Sequence, residues 1–296
     1  MLTVGILNNM PDAAVRSTER QFRALFANAR RPARLRWFSF DPRHGYEPGG
    51  ELWKSDWLDG LVVTGTEPRA RLLRDEPYWD SAVKTIEWAA AHTSSTIWSC
   101  LAAHAAALHL SGVERRPLPA KLCGVFEVAK LADHPLLANT KPRWGVPHSR
   151  FNELPPQDLG ARGYRILTQS EQAGADTFVR RCGVSLFVFM QGHPEYDARA
   201  LMREYRRDVL RFLAGERSEY PGLPANYFDP STHAALQELR ERAVLDRSAD
   251  TMVEMQNLIG QADLPGLWQG TAARLYENWL DLLAAGTTRV MAGAAS

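Results

Sequence analysis

Two short stretches of the chain combine residue types that can carry out nucleophilic catalysis. In the first, Ser95-Thr-Ile-Trp-Ser-Cys100, a β-prone run ends at the cysteine and an alanine-rich run of helical character, Leu101-Ala-Ala-His104 onward, begins at once. This pattern places the Cys100 thiol on a sharp strand-to-helix turn at the carboxyl end of a strand, the edge at which open α/β sheets bind ligands. The following helix aims its N-terminal N–H groups and positive dipole end at the sulfur, which is expected to lower its pKa. The competing reading is a buried structural cysteine, because free cysteines are among the most buried residues.

The second stretch is Gln191-Gly-His193-Pro-Glu195-Tyr-Asp197. Pro194 biases His193 towards extended backbone, where residues two apart face the same side, so Glu195 can reach back to the imidazole. Taken singly, His193 also reads as a capping or surface histidine in a turn. A thiol, an imidazole and a carboxylate nevertheless make a nucleophile, a base and an orienting group.

The elements that must position these groups alternate along the chain. Residues 2–7 form a short apolar strand closed by a turn, followed by helical spacing over 17–26 with Phe22, Leu25 and Phe26 on one face. Strands are expected at 35–40, 58–64 and 96–99, with a helix over 80–91. Such alternation argues for a mostly parallel sheet covered on both faces. Shorter β-like runs at 122–128, 164–168, 177–180 and 185–189 suit a mixed or antiparallel flank. Helical spacing returns over 198–214, with Leu201, Tyr205, Val209 and Leu213 on one face, and over 232–259 and 272–283, and a frayed tail is expected over 284–296. The division implied is a core over 1–215 and a C-terminal helical extension over 216–296 packed on it.

Composition excludes other classes. The 296 residues, 45% of them hydrophobic, can bury a substantial core. Thirty-five basic and 34 acidic residues leave a net charge of +1, so no bulk field favours nucleic acid or an anionic membrane. The three cysteines Cys100, Cys123 and Cys182 form neither a disulfide framework nor a metal clip. With no secretory leader and no apolar run of about 18 residues, a cytoplasmic location is expected. Of Cys100, His104 and His109, no set matches a recurrent zinc pattern, so no metal is expected.

Cys100 on its turn, followed by Gly192-His193-Pro194-Glu195-Tyr196, resembles the class I glutamine amidotransferase-like fold, and within it the homoserine O-succinyltransferase family. The resemblance is carried in order by Leu7-Asn-Asn-Met-Pro11, Thr18-Glu-Arg-Gln-Phe22, Gly60-Leu-Val-Val-Thr-Gly65, Lys121-Leu-Cys-Gly-Val-Phe-Glu127, Pro147-His-Ser-Arg150, Glu204-Tyr-Arg-Arg-Asp208 and Asn278-Trp-Leu280. It implies a flavodoxin-like three-layer sandwich, a homodimer, no cofactor, and ping-pong transfer of an acyl group from succinyl-CoA to L-homoserine in methionine biosynthesis. In that scheme Cys100 is the acylated nucleophile, His193 the base and Glu195 its orienting carboxylate. Lys121, Ser149 and Arg207 fall at the family's substrate-binding positions, and Lys121 is one of only five lysines in an arginine-rich chain.

The N–H groups of Leu101 and of the Thr64-Gly65-Thr66 strand end are candidate oxyanion donors. The resemblance places Arg69 at the position where the family discriminates acyl donors, and there a guanidinium can pair with a succinyl carboxylate unless nearby Glu67 neutralises it. His104, one helical turn from Cys100, stands where the family has glutamine, with a core or surface role or a site role open to it. Residues 229–261 read as an enlarged helical insertion. The alternatives are acetyl-CoA as donor and a glutaminase or other amidohydrolase of the same fold. Glutaminases usually carry glycines around the nucleophile, which Trp98-Ser-Cys-Leu-Ala102 lacks.

Overall fold

The computed structural model describes residues 1–294 apart from Asp263 and Pro265. Strand β1 (Leu2–Leu7) leads into α1 (Asp12–Ala27), followed by β2 (Ala33–Ser39), the two-residue β3 (Glu47–Pro48) and α2 (Gly49–Trp53). Then come β4 (Leu58–Val63), α3 (Trp79–His92), β5 (Thr93–Ser99) and α4 (Leu101–Ser111). The flank comprises β6 (Arg116–Lys130), β7 (Arg143–Glu153), α5 (Pro156–Ala161), β8 (Arg165–Ser170), β9 (Gly174–Cys182) and β10 (Ser185–Met190). Four helices close the chain: α6 (Ala200–Leu213), α7 (Pro230–Leu245), α8 (Ala249–Gln261) and α9 (Gln269–Ala294).

All strands join one sheet in the order β3-β2-β1-β4-β5-β10-β9-β8-β6-β7. Pairing is parallel from β3 to β10 and antiparallel from β10 to β7. Side chains alternate across the parallel strands, so two cores form. On one face Val4, Ile6, Val62 and Ile97 meet Phe22 and Phe26 of α1 and Tyr276, Trp279 and Leu283 of α9. On the other, Leu61, Val63 and Trp98 meet Ile86 and Ala89 of α3 and Ala103, Ala106 and Ala107 of α4. Helix α4 is buried along most of its length, which is why alanine dominates it: small side chains let it lie close to the sheet.

Besides the short β3, α2 and α5, which were not expected, four departures from the sequence expectations bear on the packing. Strand β7 is not foreseen, because it contains Pro147 and the polar run His148-Ser149-Arg150; it lies at the sheet edge, where a residue lacking an N–H is tolerated. The expected 232–259 helix is two helices, α7 and α8, broken at Asp246–Ser248, where the Ser248 hydroxyl caps the second. In α6 it is Phe212 rather than Leu213 that completes the buried stripe with Leu201, Tyr205 and Val209. Helix α9 continues to Ala294 through residues expected to fray; the last two residues lie outside those described.

The stretch 216–296 divides by its packing. Helices α7 and α8 bury Leu236, Leu239, Met255 and Ile259 with the apolar side of α6. Helix α9 instead covers the sheet itself, where the indole of Trp279 is fully buried and donates to Ser95 Oγ at 2.9 Å. Trp279→Ala is therefore expected to destabilise the protein by about 3–5 kcal/mol, seen as a lower urea midpoint with an unchanged slope.

Candidate active site

Cys100 is the single residue between β5 and α4, and its backbone sits at φ 49°, ψ −112°. A non-glycine residue at positive φ is strained, and three contacts hold it there. Its N–H donates to Met190 O at 2.7 Å, tying it to the end of β10. Its carbonyl accepts from His104 N at 3.2 Å, starting α4. Gly65, just beyond β4, packs so tightly that a Cβ on it would lie 3.0 Å from Leu101 N and 3.3 Å from Cys100 Cβ. A side chain there would crowd this backbone, and glycine lets the 64–66 segment and the Leu101 N–H lie at the same edge as the sulfur.

His193 lies immediately beyond β10, beside β5 in the sheet. Its N–H donates to Pro147 O at 2.7 Å, and its Nδ1 lies 2.8 Å from Glu195 Oε1. Glu195 also accepts from Ser99 Oγ at 3.4 Å. Both are buried. Burial alone would depress the imidazole pKa, but the Glu195 carboxylate and Cys100 outweigh it and raise it well above its ordinary value. The pair thus favours a proton on the ring, with Nδ1–H held by the carboxylate and Nε2 left for chemistry.

A second charged cluster converges beside this one. Tyr196 stacks on the His193 ring, with centroids 4.3 Å apart, and its hydroxyl donates to Glu204 Oε1 at 2.5 Å. The other Glu204 oxygen accepts from Ser149 Oγ and from Lys121 Nζ at 3.3 Å. Lys121 also reaches Asp208 Oδ2 at 2.8 Å, and Arg207 donates from Nε and Nη2 to Asp208 Oδ1 at 3.1 and 3.0 Å. Burial works against the charged form of both Glu204 and Lys121. Their mutual attraction, with the surrounding donors and carboxylates, wins, so Glu204 is lowered and Lys121 raised.

Behind the histidine lies a support. Buried Asp176 accepts from Thr168 Oγ1 at 2.7 Å and from Thr177 Oγ1 at 3.0 Å, both through Oδ2. A Cβ on Gly192 would fall 2.7 Å from Asp176 Oδ1 and 2.9 Å from His148 Nε2. The loop carrying His193 therefore needs glycine next to it.

The structure thus brings together Cys100, Gly65, Leu101, His193 and Glu195 in one set, and Lys121, Ser149 and Arg207 in the adjoining one. Arg69 is exposed; its backbone N–H, at 3.0 and 3.2 Å from the two Glu76 carboxylate oxygens, fixes the local chain. Glu67, read as its competitor, instead pairs with Arg211 at 2.6 Å. His104 takes a core role: it is buried, its Nε2 lies 3.1 Å from Gln191 Oε1, and burial drives its pKa down to about 3. Cys123 and Cys182 are free thiols, and burial pushes Cys123 up to about 12. Glu204, Tyr196, Asp208 and Asp176 were not singled out from the sequence. Tyr196, Glu204 and Asp208 stand inside the quoted motifs and Asp176 in none; the sequence alone assigns them no role, because Lys121 and Ser149, which Glu204 and Asp208 meet, lie 55–87 residues away.

The family model for homoserine O-succinyltransferase matches residues 1–290. The chain belongs to the homoserine O-succinyltransferase family. It is 47% identical over 293 residues to the homoserine O-succinyltransferase of Methylorubrum extorquens, covering 95% of this chain and 87% of that one. It is 44% identical to the enzyme of Rhodopseudomonas palustris, covering 96% and 89%. Among solved structures it is similar to a glutamine amidotransferase from Thermotoga maritima at 14% identity and a TM-score of 0.52, covering 95% of this chain and 97% of that one. Another is a glutamine amido transferase from Methylobacillus flagellatus at 16% identity and 0.52, covering 95% and 94%. These structures establish the class I glutamine amidotransferase-like fold, and the sequence relatives place this α/β chain with the acyltransferases rather than the glutaminases.

Within this family member the raised His193 pKa has a testable sign. Stabilisation from a cation gaining a carboxylate partner is fully present below the ordinary imidazole pKa of ~6.5 and is lost as pH rises through the higher native value. Glu195→Gln is expected to shift His193 titration downward, followed by NMR of the ring protons. It should lower thermal stability more below pH ~6 than at alkaline pH; equal loss at both would contradict the assignment.

Proposed function

We propose that this homoserine O-succinyltransferase moves the succinyl group in two steps through a Cys100 thioester. In the first, Cys100 Sγ attacks the thioester carbonyl of succinyl-CoA and its proton passes to His193 Nε2. The carbon–sulfur bond to CoA then breaks and the departing sulfur takes that proton. In the second, the homoserine hydroxyl attacks the acyl-cysteine carbonyl, His193 accepts its proton, and Cys100 leaves and is reprotonated. Glu195 holds the imidazole through Nδ1 in both. The Leu101 and Gly65 N–H groups are assigned to the oxyanion.

The observation that carries this reading is the strained Cys100 turn facing a carboxylate-held imidazole, in a chain of this family. The adjoining cluster suits an amino acid. The ionised Glu204, ringed by hydroxyl and ammonium donors, is assigned to the homoserine ammonium, and Lys121, Ser149 and Arg207 to its carboxylate and orientation. Because Tyr196 bridges His193 and Glu204, the acceptor is held next to the base. Arg69, without an ion-pair partner among the described residues, is assigned to the acyl end as a rim cation. A cytosolic homodimer is part of the same reading; among the described residues no helix is long and apolar enough to cross a membrane.

Mixing the protein with succinyl-CoA and no acceptor should release one equivalent of CoA and add the mass of one succinyl group, which homoserine then removes. Cys100→Ala should abolish the mass gain, and a gain that survives would refute the covalent step. Glu204→Gln is expected to raise KM for homoserine about tenfold or more while leaving acceptor-free CoA release near that of the parent. A loss confined to CoA release would move Glu204 out of the acceptor site.

A further inference from the structure

The segment between β4 and α3 leaves the sheet at Gly65 and returns at Tyr78, so both its ends border the nucleophile turn. Two side chains hold it in place. Buried Glu76 accepts from the backbone N–H groups of Arg69 and Ala70, at 3.0 and 3.1 Å. Arg115, just past α4, donates Nη2 to the carbonyls of Ala70 and Arg71 at 3.3 and 3.0 Å. Leu73, Tyr78 and Trp79 pack against Leu101 and Leu108 of α4. Tyr78 shares with Gly65, Thr66 and Leu101 the lining of one small, mostly apolar crevice at the start of α4.

Two polar atoms in this arrangement are left over. Tyr78 Oη and Arg115 Nη1 are buried and have no hydrogen-bond partner. Buried polar groups are nearly always paired, and an exception in a site is the mark of a missing partner. The surroundings say what kind. The charges acting on the Tyr78 phenol belong to Glu76, Arg115, Arg69 and Cys100, and burial keeps that phenol protonated. Both leftover atoms are thus donors, and Glu76 offsets only one of the two guanidiniums.

We propose that Tyr78 and Arg115 form the receptor for the terminal carboxylate of the acyl donor. With the acyl carbonyl carbon on Cys100 Sγ, a four-carbon diacid extended along the 65–78 segment presents its free carboxylate to Tyr78 Oη and Arg115 Nη1, with Arg69 at the rim. The anion supplies two acceptors and the one missing negative charge, a demand that a methyl-terminated chain of equal length cannot meet. This inference rests on the Cys100 thioester reading and deepens it by naming what selects the acyl group.

The experiment compares succinyl-CoA with butyryl-CoA, which has the same chain length and no charge, following CoA release and Cys100 labelling by intact mass. The parent should be acylated by succinyl-CoA at least about tenfold faster than by butyryl-CoA. Tyr78→Phe is expected to cut that ratio about tenfold and Arg115→Met more, with Arg115→Lys restoring part of it. Melting temperatures check that the variants fold. If both donors slow together and the ratio holds, the two residues only support the loop and the receptor is overturned. If succinyl-CoA does not label the parent at Cys100, the thioester reading fails and the proposal with it; labelling with an unchanged ratio removes the receptor alone.

Discussion

The geometry of the whole site depends on one strained residue. Cys100 is held at positive φ between a strand and a helix, a conformation that costs about 1–3 kcal/mol and persists only where its surroundings impose it. The imposing contacts come from three strands: β5 delivers the residue, β10 accepts its N–H through Met190 O, and the end of β4 leaves room through Gly65. A parallel sheet is what lets these three chain segments end at one edge. That same edge carries His193, so strand register fixes the distance between nucleophile and base.

Charge is organised around this edge in two linked groups. One holds Glu195 against His193; the other sets Glu204 among Lys121, Ser149 and Tyr196. Tyr196 belongs to both, with its ring against the imidazole and its hydroxyl on the carboxylate. Burial makes each group costly in isolation and strong when paired. The near-neutral chain therefore has no bulk field but does have locally intense ones, which suits small charged substrates rather than polyanions.

The helices divide the labour of support. Alanine-rich α4 lies close to the sheet and sets the wall below the sulfur, and the His104–Gln191 contact ties α4 to the loop that carries His193. Helix α9 seals the opposite face through Trp279, whose indole reaches Ser95 near the start of β5. The strand that ends in the nucleophile is thus pinned at its far end by the last helix of the chain.

What could be read from the sequence was local in cause. The Cys100 turn follows from a β-prone run meeting an alanine-rich one; the His193–Glu195 bond was expected from extended backbone but is made across a turn, in which the Tyr196 N–H donates to His193 O at 3.1 Å. Strands β1 and β4 were legible from their apolar runs, because burial on both faces leaves few polar residues in them, whereas β5 opens on buried Thr93, Ser95 and Thr96 and was read only from residue 96. The antiparallel edge strand β7 was not, since an edge tolerates Pro147 and polar side chains that no periodicity reveals. Tertiary structure alone decided that Glu204 meets Lys121 from 83 residues away and that Glu67 turns to Arg211, 144 residues on. It also decided that His104 belongs to the core. Hydrogen bonds between neighbours in sequence are set by backbone conformation, which residue types bias; those between distant segments are set by strand order and helix packing, which only the folded chain determines.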